Sequence, residues 1–165
     1  MATRALGAHR TGVPTWLIWI GFVVLCVGVG FLSSLGGRME LYQEIARPSW
    51  SPPAAVFGPV WTALYVMMGT ATYLIWRRTD GERRRTALTV FAIQLALNAA
   101  WTPVFFGLET FFAALVVIVG VWASVLAMMI VYARRDRLAG AMIVPLFLWV
   151  SFATALNAGI WWLNR

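Results

Sequence analysis

The stretch QLALNAAWTPVFFG, residues 94–107, lies inside a run without charge from Thr86 to Leu108. Such a run is long enough to cross a membrane as a helix, because about 20 residues at a 1.5 Å rise cover the hydrocarbon core. Yet it carries Gln94, Asn98, Trp101 and Pro103. A buried amide costs free energy unless it finds a partner, and proline removes a helical hydrogen bond. The run therefore reads as a spanning helix with a second task.

The rest of the chain repeats the pattern. Of 165 residues, 61% are apolar and 12% charged, too few charges to cover a surface in water. Charge-free runs cover 11–37, 48–76, 86–108, 110–133 and 138–164. The expected fold is an all-α integral membrane protein, a five-transmembrane-helix bundle with spans near 14–35, 54–76, 86–106, 111–133 and 139–162. The runs do not alternate in polarity, which excludes a transmembrane β-barrel. The N-terminal tail is residues 1–13, and the first span is too long for a signal peptide, so it reads as a retained helix. Loop 36–53, GGRMELYQEIARPSWSPP, is the long connection; its Leu41, Tyr42, Ile45 and Trp50 suggest a lid folded over the bundle. No internal repeat is evident.

All 13 basic residues are arginines, and none lies in an apolar run. They describe loops facing lipid headgroups and give no groove for nucleic acid. Arg4 and Arg10, the five arginines of RRTDGERRR and the three of RRDR fall on one side of a five-span topology; Arg38, Arg47 and Arg165 fall on the other. In a bacterial cell membrane this asymmetry places the N-terminus inside and the C-terminus outside.

Several chemistries are excluded. No ionisable acid or base lies within a span to serve as a proton relay. The one histidine, His9, is in the tail, so a bis-histidine haem or a histidine-dependent protease site is not encoded, and no metal cluster is present in the sequence. Cys26 is a single cysteine in an apolar run, which reads as a small buried hydrophobe.

Three spans carry aromatic stripes at helical spacing. These are Phe57, Trp61, Tyr65 and Met68; Gln94, Asn98, Trp101 and Phe105; and Pro145, Trp149, Ala153 and Leu156. Converging, they would enclose an aromatic pocket with a few polar groups, as small-molecule sites do. Stripes of this kind also arise from helix packing, with amides as interhelical glue. Tryptophans near span ends, such as Trp16, Trp19, Trp161 and Trp162, fit an interfacial belt.

The stretch ARPSWSPPAAVFGPVWTALYVMMGTATYLIW, together with QLALNAAWTPVFFG and PLFLWVSFATALN, resembles the TspO/MBR family, the translocator or tryptophan-rich sensory proteins. The resemblance spans roughly residues 15 to 162. It implies a five-helix bundle, often a homodimer in membrane lipid, with a pocket closed by the first loop. It also implies a porphyrin ligand, protoporphyrin IX or haem, together with isoquinoline and benzodiazepine drugs, and no required cofactor. Carried over by motif, the ligand-binding positions are Tyr42, Trp61, Tyr65, Asn98, Trp101, Phe105, Trp149, Ala153 and Leu156. Trp61 and Trp149 match the pair implicated in light-dependent porphyrin breakdown, which leaves binding, degradation and transport as rival functions. The chain departs from the family in having Leu41 before Tyr42 where Trp is common. Trp161 and Trp162 stand where the animal cholesterol motif needs tyrosine, which counts against cholesterol as ligand.

Overall fold

The computed structural model describes residues 14–165; the tail 1–13, with His9, Arg4 and Arg10, lies outside the described residues. Helix α1 (Thr15–Ser34) follows Pro14, whose fixed φ suits a helix entry. A short helix α2 (Leu41–Glu44) sits in the first loop, and a 3₁₀ turn, Ala54–Val56, leads into α3 (Phe57–Arg78). Helix α4 (Gly81–Thr102) continues through a π turn, Pro103–Gly107, and is followed by α5 (Phe111–Ala133) and α6 (Arg137–Leu163). The described residues contain five helices long and apolar enough to cross a membrane.

Two boundaries have a local cause that charge-free runs miss. Helix α4 begins at Gly81, not near residue 86, so Arg83, Arg84 and Arg85 form its first turns. Arginine is a good helix former, and a helix can project beyond hydrocarbon into the headgroups. Gly81 has φ +47, and Arg84 Nε donates to the Thr79 carbonyl at 2.8 Å, closing the turn from α3. Helix α6 starts at Arg137 because Asp136 caps it, its side chain accepting from the Ala139 N–H at 2.8 Å.

The spanning helices touch in a closed circuit: α1, α3, α6, α5, α4 and back to α1. Met68, Ile75, Val125, Met128 and Ile143 are fully buried between them, whereas Val24, Phe31, Leu32, Val116 and Leu148 are exposed. An apolar exterior around an apolar core is what a bilayer solvent permits. Polar side chains join helices inside the bundle. Thr72 and Tyr132 pair at 3.0 Å, and Trp122 Nε1 donates to Ser151 Oγ at 2.8 Å. Such bonds contribute roughly 0.6–2 kcal/mol each in membranes. Gly69 lets α1 and α3 meet backbone to backbone, since a Cβ there would lie 2.8 Å from Val23 Cα. At one end of the bundle Arg78 pairs with the buried Asp136, which brings the two arginine-rich turns together. Loop 36–53 crosses the opposite end.

Candidate functional site: an aromatic cavity beneath the first loop

A cavity of about 480 Å³ opens between α1, α3, α4 and α6 beneath the first loop. Its α3 wall is the stripe at steps of four, Phe57, Trp61 and Tyr65, while Met68 lies one turn deeper in the core. Trp61 and Tyr65 stack with ring centroids 5.5 Å apart and planes inclined at 28°. The Tyr65 hydroxyl donates to Asn98 Oδ1 at 2.8 Å. Asn98 is itself buried, and its Nδ2 has no hydrogen-bond partner among the described residues. A free amide donor thus stands at a mostly apolar wall, and such a group is stabilised by an acceptor brought to it.

Helix α4 also supplies Trp101 and Phe105. Trp101 Nε1 donates to Asn157 Oδ1 at 3.1 Å, and Asn157 Nδ2 donates to the Phe111 carbonyl at 3.0 Å, so the indole is tied to α5 and α6 together. Pro103 has no N–H to offer the Ala99 carbonyl four residues earlier. That carbonyl accepts instead from Ser33 Oγ of α1 at 2.6 Å. Beyond the proline the helix widens, the Leu108 N–H reaching the Pro103 carbonyl at 2.9 Å. The wider turn puts both Phe105 and Phe106 into the cavity lining. From α6 come Ala153, Leu156 and Asn157.

The first loop closes the aqueous end. Leu41 and Tyr42 are both buried, and the Tyr42 hydroxyl donates to the Pro52 carbonyl at 2.9 Å. The Tyr42 ring meets Phe57 edge-on at 5.2 Å, and the Arg47 guanidinium lies 4.6 Å from its centroid. Two anchors hold the loop. Arg38 bridges Glu44 at 3.0 Å and Glu109 at 3.2 Å, while its backbone N–H donates to the Phe106 carbonyl. On the far side Asn164 exchanges two hydrogen bonds with the Ala46 backbone, at 3.2 and 2.9 Å.

The TspO/MBR family model matches residues 22–163, which takes in α1 from Phe22 onward, the other four spans and the loop that roofs the cavity. The chain belongs to the TspO/MBR family. It is 39% identical over 147 residues to a tryptophan-rich protein TspO of Chlorobaculum tepidum, covering 85% of this chain and 91% of the relative. It is 37% identical over 153 residues to the translocator protein of Sus scrofa, with 90% of each covered, and 36% identical over 142 residues to a tryptophan-rich sensory protein of Cereibacter sphaeroides, covering 86% and 88%. With the five apolar helices, this makes it an integral, multi-pass membrane protein.

Within this TspO/MBR bundle the structure brings Tyr42, Trp61, Tyr65, Asn98, Trp101, Phe105, Ala153 and Leu156 to one cavity. Trp149 is not among the lining residues. It lies behind Phe57, ring centroids 5.8 Å apart, and beside Phe152 at 5.5 Å, with a buried Nε1 that has no partner among the described residues. Gln94, first of the α4 stripe, is fully buried, also outside the lining, with neither amide atom paired among the described residues. Sequence reasoning missed Asn157, although it follows Ala153 by four residues and carried the polar signal that singled out Asn98. It also missed the α1 wall of Val27, Gly30 and Phe31. The wall's one polar member, Ser34, stands at the helix end, and no amide or tryptophan marks the stretch before it.

Proposed function

We propose that this protein binds a flat tetrapyrrole such as protoporphyrin IX or haem in the cavity, as a membrane sensory or translocator protein. One observation carries the reading: Trp61 stacked on Tyr65 forms an aromatic wall, next to the buried, unpaired Asn98 Nδ2. A planar π-system gains contact along such a wall, and the amide offers one directional bond to an acceptor. The volume falls within the range of small-molecule sites. The same features support binding of isoquinoline or benzodiazepine compounds, which are aromatic and carry carbonyl acceptors. No cofactor is needed for binding. Relatives named translocator protein and tryptophan-rich sensory protein support the membrane role.

The placement of the tryptophans ranks binding ahead of light-driven degradation. Degradation draws on Trp61 and Trp149, and of these Trp61 lines the cavity while Trp149 sits behind Phe57. The arginine excess at the Arg78–Asp136 end supports an orientation with that end in the cytoplasm.

The test is tryptophan-fluorescence quenching by protoporphyrin IX in detergent, in the dark and then under illumination, for wild type, Trp61→Phe and Trp149→Phe. Binding predicts saturable dark quenching that weakens most in Trp61→Phe, confirmed by a direct binding assay. A light-dependent product that needs both tryptophans would move the assignment to degradation. Equal direct binding by all three proteins would remove the cavity wall from the account.

A further inference from the structure

We infer that the cavity is entered from the bilayer, through a slot between α1 and α3, and not from water past the first loop. The inference rests on the ligand-binding reading above, but its geometry stands apart from the ligand's identity.

The exposed members of the lining are Phe31, Met39, Ala54, Gly58 and Thr62. All belong to the end of α1, the residues just after it, or the entry to α3. The lining residues of α4, its π turn and α6 are buried or half-buried. The cavity therefore has one open side. Ala54, Gly58 and Thr62 follow one another at steps of four and so form one edge of it. Phe31, 64% exposed while lining the cavity, forms the facing edge.

The packing of α1 on α3 explains the slot. The two helices are clamped at the end away from the loop, where Gly69 meets the Val23 backbone and Trp19 Nε1 donates to Thr70 Oγ1 at 3.0 Å. The contact persists to Gly30, where an added Cβ would run into the Tyr65 ring, and is relieved only beyond it toward the loop. A Cβ built on Gly58 meets nothing within 4 Å. Helices held at one end and open at the other leave a wedge facing lipid.

The aqueous route is closed by comparison. Tyr42 is buried and bonded to Pro52, and the loop is anchored by Arg38 on one side and Asn164 on the other. Lifting it off the bundle would break the Arg38–Glu109 ion pair, the Arg38 N–H bond to the Phe106 carbonyl and both Ala46–Asn164 bonds before any ligand passed. An apolar macrocycle already dissolved in the bilayer meets only the slot. Its polar substituents can stay at the headgroup level near Met39 while its ring slides in, so no charge need cross hydrocarbon.

The test compares two variants of the full chain in lipid vesicles, with protoporphyrin IX delivered from a second vesicle population. Gly58→Phe fills the slot where there is room for a side chain. Ala46→Cys/Asn164→Cys, oxidised, locks the loop. Stopped-flow quenching reads the association rate. The slot route predicts that Gly58→Phe slows association about tenfold or more while the locked loop leaves it within about twofold, since access changes act on the on-rate. Slowing by the locked loop, with Gly58→Phe unaffected, overturns the inference; so does no effect from either.

A wild type that never binds porphyrin would sink the ligand reading alone. The slot is then read by labelling Ala153→Cys, in a Cys26→Ser background, with bilayer-dissolved pyrene maleimide. Gly58→Phe should slow labelling and the locked loop should not; the reverse pattern overturns the slot.

Discussion

The Tyr65 hydroxyl on α3 donates to Asn98 Oδ1 on α4 at 2.8 Å, while the Asn98 amide nitrogen has no partner among the described residues and stands free at the cavity wall. Tyr65→Phe removes that hydroxyl and leaves both ends of the Asn98 amide buried without a partner, at a cost of about 1–3 kcal/mol. Adding Asn98→Leu should recover part of the loss, because two apolar groups replace a broken pair. Thermal unfolding in detergent of the two single variants and the double variant checks this. Additive losses would mean that the bond contributes nothing as a pair.

How much of this was legible in the sequence follows from what each residue advertises. The five spans were readable because charge punctuates them, and the cavity stripes because an aromatic or amide at helical spacing stands out against Leu and Val. Trp149 stood out equally, yet it packs behind Phe57. Spacing assigns a residue to a face and does not say which neighbour the face meets. The α1 wall was silent for the opposite reason: Val27, Gly30 and Phe31 look like any lipid-facing residues. Tyr132 belongs to a loose Leu126–Tyr132–Arg134 sterol-like pattern, but it is fully buried against Thr72 and presents no surface to a sterol.

The Ser33–Ala99 bond answers a question that Pro103 raises. Ser33→Ala should leave the Ala99 carbonyl without this partner and destabilise by about 1–2 kcal/mol. In a Pro103→Ala background the restored N–H can serve that carbonyl, so Ser33→Ala should then cost much less. A double-mutant cycle by thermal unfolding measures the coupling. Independent, additive effects would separate the serine from the proline.

Gln94 makes the opposite prediction. Its amide is fully buried and unpaired among the described residues, so Gln94→Leu, close in volume and without polar atoms, should raise stability by about 1 kcal/mol or leave it unchanged. A marked loss in the melting curve of the ligand-free protein would show that Gln94 is engaged in a bond the present account lacks.

Glu109 holds the loop anchor in a left-handed backbone, φ +54, which side-chain-bearing residues adopt at a cost of about 1–2 kcal/mol. Glycine adopts it freely. Glu109→Gly and Glu109→Ala both lose the Arg38 ion pair, but the glycine variant should melt higher by about 1 kcal/mol of relieved strain. Identical melting would mean the turn relaxes once its carboxylate is gone.

The central claim is that the cavity beside Trp61 takes the ligand. It is tested most directly by the equilibrium affinity of protoporphyrin IX for Trp61→Ala and Trp122→Ala, two identical truncations, one in the cavity wall and one in the α5–α6 packing. The account predicts a loss of about tenfold or more for Trp61→Ala, the equivalent of about 1.4 kcal/mol, and near wild-type affinity for Trp122→Ala. Equal affinities for the two variants would contradict it.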